Sequence, residues 1–210
     1  MSNILFVSSS LMEQNSKSRQ LAAEFIDGLR KADAHTTVVE RHLTPANMPH
    51  LDMATLGALM TAEDQRSQVQ QQATVLADAI VTEVEAADTI VVAAPMYNFS
   101  IPSTLKAWLD HLARRGRTFR YNEKGQPEGL LKNKKVYVVA SRGGQYTGDS
   151  PAAPMNFQDP YLRTIFGFVG MTDVTFIPVE GQSAGADVAA RGVVRARDAL
   201  AGFITLATAA

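Results

Sequence analysis

Thr89-Ile90-Val91-Val92-Ala93-Ala94-Pro95-Met96-Tyr97-Asn98-Phe99-Ser100-Ile101-Pro102 is the stretch that decides the fold. Its first six residues are apolar or β-branched almost without a break, as in a central strand buried on both faces of a parallel sheet. Pro102 opens a helix through about Arg115, because proline is tolerated in a first turn. The loop between them carries large apolar side chains, an unusual choice directly after a central strand. Such side chains could lie along a flat aromatic ring while backbone N–H groups meet its polar edge. The plainer alternative is packing beneath the next helix.

Outward from this segment the chain alternates. Ile4 to Val7 reads as a first strand, and Leu21, Ala22, Phe25 and Leu29 recur at helical spacing. Thr37 to Val39 reads as a second strand, followed by a long helix marked by Val69, Ala73, Leu76, Ala77, Ile80 and Val84. After Thr89 to Ala94, strand four is Val136 to Ala140 and strand five is Val174 to Ile177, with a helix at Pro160 to Val169 and a last one from Val188 to Ile204. Strands alternating with helices predict an α/β, doubly wound five-stranded parallel sheet. Two stretches stay irregular and exceed usual connection lengths: Leu43 to Asp64, and Arg117 to Leu131, where Lys124-Gly125 turns a small hairpin.

Composition narrows the chemistry. The 210 residues suit one domain, 1–210, and the net charge of -1 offers no basic excess for nucleic acid. With no cysteine, thiol catalysis, iron–sulfur clusters and cysteine zinc sites are excluded, so redox chemistry needs a bound cofactor. His35, His42, His50 and His111 show no metal-ligand spacing, predict no metal, and read as surface or capping residues. No apolar run reaches the length of a membrane span, and the start of the chain lacks a signal-peptide core. A cytoplasmic protein is expected.

In an open parallel sheet, ligands bind beyond the carboxyl ends of the strands at the switch point. With strand order 2-1-3-4-5, the loops after strands one, three and four converge. The first, Ser8 to Ser18, lacks the glycine spacing of a dinucleotide loop but offers hydroxyls and N–H groups at a helix start, suited to a terminal phosphate. Ser10, Ser16 and Ser18 are its candidate ligands. The third, Ser141-Arg142-Gly143-Gly144-Gln145-Tyr146, has paired glycines that permit close approach to a ligand. Read singly, these loops are an ordinary serine cap and a flexible turn; their convergence carries the functional reading.

Pro95-Met96-Tyr97-Asn98-Phe99, then Leu105-Lys106 and Asp110, resembles the FMN-dependent NADH-azoreductases, also called NADH:quinone oxidoreductases. The likeness extends through Thr118-Phe119-Arg120-Tyr121, Pro127-Glu128-Gly129-Leu130, Ser141-Arg142-Gly143-Gly144, Pro160-Tyr161-Leu162, Gly167-Phe168-Val169-Gly170, Thr172-Asp173-Val174 and Glu180-Gly181. It implies a flavodoxin-like homodimer with one FMN per subunit near the interface. It places FMN contacts at Ser10, Ser16, Lys17, Ser18, Met96, Tyr97, Asn98, Phe99, Ser141, Arg142, Gly143 and Gly144, with only the backbone of Lys17 involved. Met60 stands where some relatives place an arginine, which leaves the donor as NADH or NADPH.

The expected reaction is ping-pong two-electron transfer from the nicotinamide donor to small aromatic acceptors, quinones and azo compounds. Leu56, Met60, Phe119, Tyr121, Phe166 and Phe168 are the candidate pocket walls. No side-chain acid or base is assigned, since the flavin carries the chemistry. A flavodoxin-type electron carrier and a flavin-binding regulatory protein are the alternatives. Near-neutral charge and the extra hairpin speak against the carrier.

Overall fold

A computed structural model describes residues 2–208. The elements in chain order are β1 (Asn3–Ser8), α1 (Lys17–Ala32), β2 (Thr37–His42), α2 (Met53–Met60), α3 (Gln68–Ala86), β3 (Thr89–Ala93), α4 (Ser103–Leu112), β4 (Phe119–Tyr121), β5 (Pro127–Gly129), β6 (Lys135–Ser141), α5 (Gln158–Val169), β7 (Asp173–Val179) and α6 (Ala186–Thr208). The main sheet is parallel in the order β2-β1-β3-β6-β7, which is the expected 2-1-3-4-5 once the hairpin strands β4 and β5 are set aside.

Side-chain alternation divides the helices between the two faces. Leu5, Val7, Ile90, Val92, Val136 and Val138 face a core completed by Ile80 of α3, Leu105 and Trp108 of α4, and Leu162 and Phe166 of α5. Ile4, Phe6, Val91, Ala93 and Val139 face the other, completed by Leu21 and Phe25 of α1 and by Ala196 and Leu200 of α6. Every residue of β3 is buried, as its unbroken apolar run requires.

The stretch Leu43 to Asp64, expected to be irregular, contains α2. Asp52 caps it by accepting the Thr55 N–H at 2.7 Å. Met53 and Met60 are exposed although apolar, so this short helix shows no two-sided pattern for a periodicity reading to detect. Helix α4 ends at Leu112 rather than Arg115. The hairpin forms as expected, with Gly125 at φ 72° in its turn. It is fastened to the end of α5, where Gly170 adopts φ 103° and the Leu131 N–H donates to the Val169 carbonyl at 2.9 Å. A Cβ on Gly129 would lie 2.1 Å from the Gly170 nitrogen, so the two backbones meet where only glycine fits.

Candidate active site

Register pairs Ser8 with Ala93 and Ala93 with Val139 at the carboxyl edge of adjacent strands β1, β3 and β6, and β6 runs on to Ser141. The loops that follow form one shelf. Ser16 caps α1, its Oγ accepting the Arg19 N–H at 3.3 Å and lying 3.1 Å from the Ser18 Oγ. Ser10, Ser16 and Ser18 are all buried. Among the described residues the N–H groups of Ser10, Lys17 and Ser18 meet no protein acceptor. Buried hydroxyls beside free donors at a helix N-terminus have the chemistry that suits an anion. The Lys17 side chain leaves it, donating to the exposed Gln20 at 3.3 Å.

The second loop is a tight reverse turn. Tyr97 and Ser100 exchange backbone hydrogen bonds at 3.0 and 3.1 Å, with Asn98 at φ 48° and Phe99 at φ 70° between them. Asparagine tolerates this left-handed geometry, whereas a phenylalanine there is strained. Strain of this kind persists only where surrounding structure imposes it, and it clusters at ligand clamps. Here the Phe99 carbonyl accepts the Phe157 N–H at 3.0 Å, and the Tyr97 hydroxyl accepts the Leu11 N–H at 3.2 Å, tying this loop to the other two. The Asn98 and Phe99 N–H groups meet no acceptor among the described residues.

The third loop is joined to the second by the Met96 N–H, which donates to the Ser141 carbonyl at 2.8 Å. Gly143, Gly144 and Gln145 likewise have N–H groups without a protein acceptor among the described residues. Arg142 behaves differently. Its side chain is fully buried and paired with Asp159 and Glu180, and its own N–H donates to Val179. It therefore lies under the shelf, with no donor directed to a ligand.

One cavity adjoins the turn and a second lies beside α4. One, about 500 Å³, is lined by Tyr97, Asn98, Ser100, Ile101, Ser103, Lys106 and Tyr161. The hydrogen bond to Asp110 holds the Lys106 ammonium pKa above its ordinary value, against the opposing effect of burial, so Lys106 stays protonated at neutral pH and paired with that carboxylate. Burial pushes the Tyr161 phenol upward, so it stays protonated there. The other cavity, about 900 Å³, brings together Leu56, Met60, Phe119 and Tyr121 with Arg66, Arg114 and Arg115. Asp110 lines this second cavity, so the Lys106–Asp110 pair on α4 joins the two.

Of the expected pocket walls, Phe168 touches the site through Phe119, with ring centroids 4.5 Å apart. Phe166 does not reach it: it is fully buried between α5 and the sheet, because the spacing of Leu162, Phe166 and Val169 turns it inward. His111 is buried rather than superficial, its Nε2 lying 3.0 Å from the Pro49 carbonyl oxygen. Sequence reasoning assigned no role to Gln158, Asp159 or Glu180. Of these, Glu180 directly follows the carboxyl end of β7, and that position was the available signal.

A family model described as flavodoxin-like fold matches residues 2–203. The FMN-dependent NADH:quinone oxidoreductase of Azotobacter vinelandii is 44% identical over 201 residues, covering 96% of this chain and 98% of its own. That of Herminiimonas arsenicoxydans is 48% identical over 187 residues, covering 89% and 91%. Among solved structures, the azoreductase from Bacillus anthracis str. Sterne superposes with a TM-score of 0.87 at 28% identity, covering 97% of this chain and 99% of its own.

Proposed function

The chain belongs to the flavodoxin-like family of FMN-dependent NADH:quinone oxidoreductases, and from that premise we infer that it reduces quinones and azo compounds with NADH through bound FMN. The observation in the molecule that carries this reading is the convergence of three loops, each with backbone donors that meet no protein acceptor among the described residues. They fit FMN in chemistry as well as position. Buried hydroxyls and free N–H groups at the α1 start suit a singly esterified phosphate. The turn at Asn98-Phe99 and the glycine loop offer further N–H groups and an aromatic surface for a flat, polar-edged ring. When bound, FMN supplies the two-electron chemistry that no side chain of a cysteine-free chain provides.

The residues' task is placement and electrostatics. Ser10, Ser16, Ser18 and the backbone of Lys17 hold the phosphate. Asn98, Phe99, Gly143 and Gly144 offer the ring their backbone donors, while Met96, Tyr97 and Ser141, whose backbones bond to one another and to Ser100, shape the place it occupies, Arg142 contributing only from beneath. Donors near Asn98 and Gly144 stabilise the negative charge that reduction brings, in a site whose dipoles are already oriented. Leu56, Met60, Phe119, Tyr121 and Phe168 bound the acceptor. Donor and acceptor occupy this place in turn.

The whole chain acts as one FMN-binding unit, in the cytoplasm, as a homodimer. Exposed Leu11, Met12, Phe99, Met155 and Phe157 rim the shelf and support the dimer, since clustered apolar surface of this kind marks a contact face. Among the described residues, no helix is long and apolar enough to cross a membrane.

The test is spectral and kinetic. Purified protein is expected to be yellow, to release FMN rather than FAD on denaturation, and to bleach when NADH is added without oxygen. With one saturating donor, kcat/KM is expected to be highest for quinones. Azo dyes should be slower, because full N–N cleavage consumes two rounds of reduction, but still above background. A largely apolar pocket with few buried polar partners rejects analogues weakly. Release of FAD, or turnover of a single acceptor only, would overturn this reading.

A further inference from the structure

We propose that Arg142 is a positioning residue that locks the loops after β3 and β6 into one rigid cradle for FMN, an inference that rests on the function proposed above. Its guanidinium is wholly buried, and its donors fan out to different elements. Nε donates to the Gln158 Oε1 at 3.2 Å, Nη1 to the Glu180 Oε1 at 3.2 Å, and Nη2 to the Asp159 carboxylate.

Each partner passes the constraint onward. The Gln158 amide donates to the carbonyls of Ala94 at 3.1 Å and Pro95 at 3.3 Å, at the root of the Met96 to Phe99 turn. The Glu180 carboxylate accepts the Tyr146 N–H at 2.7 Å and the Thr147 hydroxyl at 2.8 Å, fixing the far side of the glycine loop. Asp159 also accepts from Asn156 at 2.8 Å, adjoining Phe157, whose N–H holds the Phe99 carbonyl. One planar cation thus reaches both loops and the start of α5.

A buried ion cluster is a poor way to gain stability, because apolar side chains of the same volume often do as well. What a satisfied cluster does supply is fixed geometry. Its location is telling: the backbone donors of Gly143, Gly144 and Gln145, which have no protein partner among the described residues, belong to the three residues that directly follow Arg142 in the chain. Arginine suits the task because its fork satisfies several acceptors in one plane, whereas lysine is a point donor.

Two variants test this, Arg142→Lys and Gln158→Leu. The first keeps the charge and loses the fork; the second keeps the ion pairs and cuts the link to Ala94 and Pro95. Both are to be compared with wild type in apo thermal melting, FMN titration and the midpoint potential of the loaded protein. For both variants the apo protein is expected to remain folded, while FMN affinity falls about tenfold or more and the midpoint moves to more negative values, since the donors that meet the reduced form are no longer held. Lowered melting temperature with unchanged affinity and potential would reduce Arg142 to a structural residue and overturn the proposal. Wild-type protein that takes up no FMN would overturn the proposed function itself, and this inference with it.

Discussion

Phe99 holds φ 70° on a residue type that ordinarily avoids it, at a cost of about 1–3 kcal/mol. Phe99→Asn keeps the turn with a residue suited to it. The apo protein is expected to be as stable or about 1 kcal/mol more so. The loss of aromatic surface should lower kcat/KM for quinones roughly three- to tenfold. Melting curves and steady-state rates check the two halves separately. Gly144 is a different kind of residue, with no left-handed φ. A Cβ there would lie 3.2 Å from the Tyr146 ring, a side chain able to shift. Gly144→Val is therefore expected to leave the apo fold near normal while weakening FMN binding about tenfold or more by crowding the cradle. Unchanged affinity in a fluorescence titration would remove the glycine loop from the site.

At the scale of elements, Asp78 on α3 gathers the wall of the larger cavity. Its carboxylate meets Arg114 at 2.8 Å, Arg117 at 3.5 Å and Arg66 at 3.6 Å, linking α3 to the ends of the segments that follow α2 and α4. Burial raises its pKa, but the hydrogen bond from Arg114 and the charges of Arg114 and Arg66 outweigh that, so it titrates below the ordinary carboxylate range. A lowered folded pKa means that the stabilisation is complete above about pH 4, the unfolded value, and is lost as pH falls through the folded one. Asp78→Asn is expected to cost about 1–3 kcal/mol at neutral pH, with the difference from wild type shrinking on acidification. Denaturant titrations at pH 7 and below pH 4 measure it, and a constant difference would exclude the linkage.

At the scale of the molecule, the shelf is open and its rim apolar, with Leu11 and Phe157 each more than half exposed. Sedimentation is expected to give the mass of two chains. Phe157→Glu, which places a charge on the rim, is expected to raise the dimer dissociation constant and lower activity in parallel. A monomer with full activity would refute the shared-site idea. The alternation of strand and helix patterns made a doubly wound parallel sheet legible in advance, whereas the order 2-1-3-4-5 that creates the shelf came from the flavodoxin-like resemblance and is the order observed.

The sequence by itself determined the strands, the helix faces, the hairpin and the three loops, since each is written in local spacing: period two, period 3.6, or a turn residue in place. Those signals are blind to partners far along the chain. The resemblance placed Arg142 among the FMN contacts, yet its side chain is buried because Gln158, Asp159 and Glu180, 16, 17 and 38 residues away, satisfy its fork. Phe166 and Phe119 were equivalent aromatics in sequence; packing sent one into the core and left the other at the cavity. The left-handed Phe99 has no signature in residue type, because contacts with distant Phe157 and Tyr146 hold it there. Local patterns choose which face is buried, and only the folded chain decides which polar groups meet beneath it, because a buried charge is tolerated only where its partners converge.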